Sequence, residues 1–214
     1  APPLPTLLAR TLQALDLHAD PTLIDAALSD MPGVPRPGVR LPSGWDGFEM
    51  AVRVILGQQV TVAAAQTLTH RLVQGFGRPV ATPHAGLDRL FPEADTLAAA
   101  PAESIGTLGI VRQRVRALQA LAAEVATGRL RLTPDAPLEA TLDHLRSLPG
   151  LGDWSAQLIA MRALAWPDAW PATDIGVLKA LGTRDSRDAA RQAEAWRPWR
   201  AYAVMRLWLT LETP

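Results

Sequence analysis

One aspartate, Asp174, stands immediately before the apolar run that starts at Ile175, in the segment PATDIG. An aspartate at this position is typical of a helix N-cap, because its carboxylate accepts a hydrogen bond from an amide of the first turn. The positive end of the helix dipole also favours the ionised carboxylate. An ionised carboxylate can stabilise a developing cation or activate a water molecule. Asp174 is therefore a candidate catalytic residue, and a capping role alone is the alternative.

A second segment, LPGLGDWSAQ at 148–157, places Gly150 and Gly152 between two stretches with helical periodicity. Glycine adopts backbone angles and close approaches that are closed to other residues, and a buried Leu151 would lock such a turn. The amides of the turn, at the N-terminus of the next helix, would form a site for a phosphate. The pattern predicts a helix-hairpin-helix at about 144–164 that contacts a nucleic-acid backbone without reading bases. A helix corner with glycines for steric reasons alone is the alternative.

Helices are predicted along nearly the whole chain, because apolar residues recur at spacings of three and four. The predicted helices cover 4–17, 48–56, 62–76, 111–125, 138–148, 156–164 and 199–211. Strand-like alternation is scarce, and 130–132 is the only extended candidate. Segments rich in Pro and Gly separate the helices. We expect an all-α fold with about ten to twelve helices.

Composition restricts the chemistry that the chain can use. The 214 residues include no cysteine and four histidines, which excludes disulfides, thiolate catalysis and iron–sulfur clusters and gives no metal-binding signature. A formal net charge of zero argues weakly against nucleic-acid binding. No apolar run approaches the roughly 20 residues needed to cross a bilayer. We therefore expect a cytoplasmic protein, nucleoid-associated if bacterial, with no membrane partner.

The hairpin segment and four further motifs together resemble the helix-hairpin-helix DNA glycosylase superfamily, and within it the AlkA-type DNA-3-methyladenine glycosylases II. The motifs that carry the resemblance are LPGLGDWSA at 148–156, AMRAL at 160–164, PATD at 171–174, FEMAVRVILGQQVTVAAAQTL at 48–68 and WRPWRAYAVMRLW at 196–208. The resemblance covers roughly 44–210, and the first 43 residues are too short for the β-rich N-terminal domain of some members. It implies two helical lobes with an active-site cleft between them. The expected lobes are 1–60 with 175–214, and 61–174.

The resemblance implies hydrolysis of the N-glycosidic bond between a damaged base and deoxyribose in double-stranded DNA, after the nucleotide has been flipped out of the duplex. Asp174 matches the family's catalytic aspartate. Bifunctional relatives carry a Schiff-base lysine where this chain has Trp154, and Lys179 is its only lysine. We therefore expect a monofunctional enzyme that leaves an abasic site. A glycosylase for hypoxanthine or a mismatched pyrimidine, a non-catalytic DNA-binding module and a helical interaction scaffold remain alternatives.

The resemblance also implies roles for particular side chains. Trp154 and Trp208 match aromatic base-pocket positions, which suit a cationic alkylated base through cation–π attraction. Leu158 and Ile175 stand at two further positions that are aromatic in relatives, which implies a wider or less aromatic pocket. The DNA-binding residues implied are Gln58 and Gln59, at the turn that carries the family's wedge, and Gly150, Gly152, Asp153, Trp154 and Ser155 of the hairpin.

No cofactor is expected to be required. In the resembling family the hairpin holds a monovalent cation, Na⁺ or K⁺, through main-chain oxygens, which by position are those of Arg146, Leu148 and Leu151. The expected partner is double-stranded DNA that contains a damaged base, and the protein is expected to act as a monomer.

Overall fold

The fold is all-α, as the sequence predicts. A computed structural model of the protein describes residues 3–33 and 36–211, which form twelve α-helices and one short 3-10 helix. The α-helices are α1 (Leu4–Ala14), α2 (Pro21–Ala27), α3 (Gly47–Gly57), α4 (Val62–Phe76), α5 (Ala94–Ala99), α6 (Ala102–Gly106), α7 (Arg112–Ala126), α8 (Leu138–Ser147), α9 (Asp153–Ala163), α10 (Ile175–Ala180), α11 (Ser186–Ala193) and α12 (Arg200–Leu211), and the 3-10 helix is Glu194–Trp196. The described residues contain no strand, and 130–132 is irregular.

Local signals explain where several helices begin. Helix α4 has the predicted bounds, and the Thr61 side chain caps it by accepting a hydrogen bond from the Ala64 amide. The sequence prediction missed α2, although Asp20 caps it and Pro21 occupies its first position. It also missed α5, α6 and α11, whose five to eight residues are too few to display a helical period.

The described chain divides into two compact units. The first unit combines the described residues before residue 48 with residues 156–211, and the second unit is residues 48–155. These boundaries differ from the predicted ones after residues 60 and 174. Two local attachments account for the difference. The turn after α3 is bonded to the hairpin through Gln58, which keeps both in the second unit. The segment before α3 is bonded to α9, through the amide of Gly44 and the main-chain oxygen of Arg162.

Each unit has an apolar core of its own. In the second unit α5 and α6 pack on α7, and fully buried side chains include Ile55, Leu72, Leu97, Leu118 and Leu145. In the first unit α10 packs on both α11 and α12, and its buried residues include Ile24, Leu28, Ile159 and Leu207.

None of the helices in the described residues combines the length and apolar character that crossing a membrane requires.

Candidate active site

The Asp174 carboxylate lies at the N-terminus of α10, in the first unit. Its Oδ1 atom accepts a hydrogen bond of 2.9 Å from the Val177 amide, which confirms the predicted N-cap. The same oxygen accepts a second bond of 2.9 Å from the indole Nε1 of Trp208 on α12. Two donors on one oxygen hold the carboxylate group in a defined orientation. Asp174 and Trp208 are both half-buried.

Gly176 leaves the space that this indole contact needs. A Cβ atom built on Gly176 would lie 3.0 Å from Cδ1 and 3.1 Å from Nε1 of Trp208, and 3.1 Å from Oδ1 of Asp174. Contacts that short would force the indole or the carboxylate to move. A residue without a side chain is therefore required for this arrangement.

Arg162 on α9 contacts the ring of Trp208. Its guanidinium lies over the indole ring, 5.6 Å from the ring centroid, at a distance typical of a cation–π contact. One terminal nitrogen donates to the Pro42 carbonyl at 2.7 Å, and the other contacts the Met205 sulfur at 3.3 Å. Burial lowers the pKa of Arg162 from its usual value. The sequence prediction missed this residue, because its partners are remote in the chain.

The remaining predicted pocket residues differ in exposure. Ile175, which follows the carboxylate, is 78% exposed, whereas Leu158 is 8% exposed and lies in the core. Trp154 is half-buried in the first turn of α9 and belongs to the second unit, while the other predicted pocket residues belong to the first. The base pocket therefore stays a prediction.

The predicted helix-hairpin-helix is present in the second unit, as α8, a turn at 148–152 and the start of α9. The Leu151 amide donates to the Leu148 carbonyl at 3.2 Å, and the Leu151 side chain is 3% exposed, as predicted. Gly150 has a φ of +80°, and a Cβ there would lie 3.1 Å from that of Ala117. Gly152 does not use the left-handed backbone region expected for it, and no atom lies within 4 Å of its Cβ position. Gly152 therefore leaves open space at the turn.

Gln58 and Gln59, the two glutamines of the turn after α3, have different surroundings. The Gln58 Nε2 atom donates to the Gly150 carbonyl and to the Ser155 hydroxyl, each at 2.9 Å. A terminal nitrogen of Arg114 on α7 donates to the Gln58 carbonyl. Gln59 is exposed and has a φ of +54°, a left-handed conformation that is uncommon for a residue with a side chain. Gln58 thus binds the turn to the hairpin, and Gln59 is the glutamine at the surface.

A carboxylate lies beside the hairpin amides. Asp153 is in the first turn of α9, and its Oδ1 atom accepts from Nε and a terminal nitrogen of Arg146 at 2.9 and 2.8 Å. The hydrogen bonding of Arg146 to the Asp153 carboxylate, in which Arg146 is the donor, is the main cause that raises the pKa of Arg146 above its usual value. This ion pair is exposed, with side-chain accessibilities of 35% for Arg146 and 58% for Asp153.

The predicted cation site consists of main-chain oxygens of the hairpin. The Leu148 carbonyl already accepts the Leu151 amide, but a carbonyl has a second lone pair and could still serve as a ligand. Within residues 3–33 and 36–211 no group of three or more His, Cys, Asp or Glu side chains could hold a metal ion. Carbonyl ligation would not produce such a group, so a cation held by Arg146, Leu148 and Leu151 stays a prediction.

Comparison with known proteins assigns the chain to a family. The model of the HhH-GPD superfamily, described as base excision DNA repair proteins, matches residues 52–200. This chain belongs to the HhH-GPD superfamily. The match includes the turn after α3, the hairpin, Arg162 and Asp174, and it ends before Trp208.

Two relatives are similar to this chain over nearly its whole length. A probable bifunctional transcriptional activator/DNA repair enzyme AlkA of Mycobacterium tuberculosis is 41% identical over 218 residues, covering 98% of this chain and 43% of that protein. DNA-3-methyladenine glycosylase 2 of Escherichia coli K12 is 35% identical over 208 residues, covering 95% of this chain and 71% of that protein. The chain thus spans less than half the length of the M. tuberculosis relative.

Solved structures share the HhH-GPD fold at low sequence identity. The 3-methyladenine DNA glycosylase of Archaeoglobus fulgidus superposes with a TM-score of 0.76 at 22% identity, over 96% of this chain and 74% of that one. The Schizosaccharomyces pombe enzyme Mag1, in complex with abasic DNA, gives 0.69 at 18% identity, over 89% of this chain and 97% of that one. At these identities the similarity establishes the fold alone.

Proposed function

We propose that this chain is a monofunctional DNA glycosylase of base excision repair, which releases alkylated bases of the 3-methyladenine type from double-stranded DNA and leaves an abasic site. The observation that carries the proposal is the oriented Asp174 carboxylate, bonded through one oxygen to the Val177 amide and the Trp208 indole. The name of the E. coli relative, DNA-3-methyladenine glycosylase 2, supports the same activity, and the name of the M. tuberculosis relative supports a role in DNA repair.

The chemistry requires stabilisation of positive charge on the sugar. As the bond between C1′ and the base nitrogen breaks, its electron pair leaves with the base and the deoxyribose becomes an oxocarbenium-like cation. A fixed carboxylate offsets that charge without reorganising during the reaction. Asp174 then accepts a proton from the water whose oxygen bonds to C1′. A base alkylated on a ring nitrogen is already cationic, so it leaves without first being protonated.

The hairpin supports DNA as the partner. The open space at Gly152 and the amides at the N-terminus of α9 suit a phosphate, and such contacts position a duplex without reading its sequence. The exposed Gln59 is the side chain suited to fill the gap that a flipped nucleotide leaves in the base stack.

The lysine content supports hydrolysis without strand cleavage. A Schiff base requires a lysine at the reacting carbon, and Lys179 is the only lysine of the chain. It lies exposed in the last turn of α10.

The test is incubation of the protein with methylated duplex DNA and chromatography of the released bases. We expect release of 3-methyladenine, with the DNA strand left intact and no lysine trapped by borohydride. Asp174→Asn should reduce release at least 100-fold while duplex binding persists. Asp185→Asn is the matched control, because Asp185 also caps a helix, α11, by accepting a hydrogen bond from the Arg187 amide.

The outcome separates the proposed function from its alternatives. Normal release by Asp174→Asn would contradict the catalytic role of Asp174. Release of only hypoxanthine or a mismatched pyrimidine from a lesion panel would contradict the alkylated-base specificity. Duplex binding without release of any base would favour a non-catalytic binding module.

A further inference from the structure

The surroundings of Trp208 suggest a role different from base stacking. Its ring nitrogen donates to the Asp174 carboxylate, and the Arg162 guanidinium lies over its ring. A cationic base would gain little on a ring that already carries a cation, because the two like charges repel each other. The ring is therefore poorly suited to bind an alkylated base.

We propose that Trp208 is a positioning residue, which holds the Asp174 carboxylate in its reactive orientation and does not bind the base. The inference rests on the proposed function and extends it to a second side chain. The Val177 amide holds Oδ1 from α10, and a second donor at the same oxygen limits rotation of the carboxylate about that hydrogen bond. The indole donor reaches the same oxygen from another helix and restricts that rotation.

Two further residues maintain this arrangement. Arg162 is bonded to the Pro42 carbonyl and in contact with Met205, so its guanidinium is held over the indole. Gly176 provides the space that lets the indole nitrogen reach Asp174. Arg162, Gly176 and Trp208 come from α9, α10 and α12, respectively. The carboxylate is therefore oriented by packing of the first unit as well as by its own helix.

Trp208→Phe separates the two roles, since it keeps an aromatic ring and removes the N–H donor. A positioning role predicts that kcat for base release falls about 10- to 100-fold, as expected for loss of one hydrogen bond to a charged group, while KM changes less than about twofold. Trp196→Phe is the aromatic control, because Trp196 is buried and packs edge-on against Trp170. Gly176→Ala should lower kcat in the same way, whereas Gly106→Ala, on a helix where a Cβ meets open space, should not.

A second measurement reads the contact independently of activity. In a ¹⁵N-labelled protein the Trp208 indole N–H resonance is assigned by its absence in Trp208→Phe. The chain has seven tryptophans, so the other six indole resonances serve as internal references. Asp174→Asn should shift the Trp208 resonance more than these six, because Trp208 donates to that carboxylate.

The results distinguish this inference from the proposed function. If the wild-type protein releases no base from any lesion, the proposed function fails, and the indole resonance alone decides whether the contact exists. If the wild-type protein is active and Trp208→Phe matches its kcat, or raises KM with kcat unchanged, the positioning role is wrong. An indole resonance that is unaffected by Asp174→Asn would also overturn it.

Discussion

At the scale of single residues, Asp153 places a negative charge beside the amides to which a DNA phosphate would bind. Its ion pair with Arg146 neutralises part of that charge and engages a guanidinium that could itself contact phosphate. An exposed pair of this kind contributes little to stability. Its larger effect is on the local potential of the hairpin, which sets how strongly the phosphate backbone is attracted.

Asp153→Asn should therefore tighten binding to duplex DNA, by roughly 2- to 10-fold, or about 0.4–1.4 kcal/mol. The dependence of log K on log salt concentration should steepen by up to about one phosphate contact, because Arg146 loses its ion pair with Asp153 and retains only the longer one with Asp143. Fluorescence anisotropy with a labelled duplex at several salt concentrations measures both quantities.

Asp143→Asn is the matched control for charge. Asp143 also pairs with Arg146, at 3.1 Å, but it belongs to α8, outside the hairpin turn, and is 77% exposed. If both substitutions tighten binding equally, the effect is one of net charge and not of the hairpin. If Asp153→Asn weakens binding, the hairpin does not approach the phosphate at this residue.

At the scale of secondary-structure elements, the turn after α3 and the hairpin behave as one contact surface because Gln58 joins them. Gln58→Ala removes both hydrogen bonds to the hairpin and should lower the free energy of unfolding by about 1–2 kcal/mol. Gln59→Ala, at an exposed neighbour with the same side chain, should leave stability unchanged and lower the rate of base release. Urea unfolding and base-release assays on the two variants measure these effects. Equal unfolding midpoints for Gln58→Ala and the wild type would contradict the bridging role of Gln58.

The elements show what the sequence could and could not predict. Helix α4 was predicted to the residue, because its 15 residues are enough to display the helical period clearly. The capping geometry of Asp174 was also predicted, since a cap depends on residues within three positions. The partners of Gln58 could not be predicted, because Gly150 and Ser155 lie 92 and 97 residues further along the chain.

The same reasoning applies to the candidate site. Trp208 was assigned to the base pocket from its position in the family motif, whereas its hydrogen bond to Asp174 spans 34 residues and depends on packing between helices. No local pattern marks Arg162 as the residue that covers the indole. Contacts of this kind are decided by tertiary packing, which a single sequence does not encode in any short segment.

At the scale of the whole molecule, Tyr202 links the beginning of the chain to its end. Its hydroxyl donates to Oδ2 of Asp16 at 2.9 Å, across 186 residues of sequence. The same carboxylate oxygen accepts the Leu41 amide at 2.9 Å, so the N-terminal segment is bonded to α12 through one acidic group. Burial of the phenol and its hydrogen bond to Asp16 raise the pKa of Tyr202 well above its usual value.

This raised pKa predicts a loss of stability at alkaline pH. The folded state holds the phenol proton more tightly than the unfolded state, so the stabilising contribution is fully present below pH about 10 and is lost as pH rises toward the folded pKa. Over that window the free energy of unfolding should fall by up to about 1.4 kcal/mol per pH unit. Tyr202→Phe should remove this dependence, at a cost of about 1 kcal/mol at neutral pH for the lost hydrogen bond.

The composition makes the measurement specific, because the chain has one tyrosine. Tyrosinate absorbance therefore reports Tyr202 alone, and urea unfolding at each pH reports stability. We expect the absorbance to rise only where the protein begins to unfold, well above pH 10. A tyrosinate signal with a midpoint near pH 10 in a folded protein would contradict the buried contact with Asp16, and an unchanged alkaline slope in Tyr202→Phe would assign the loss of stability to other groups.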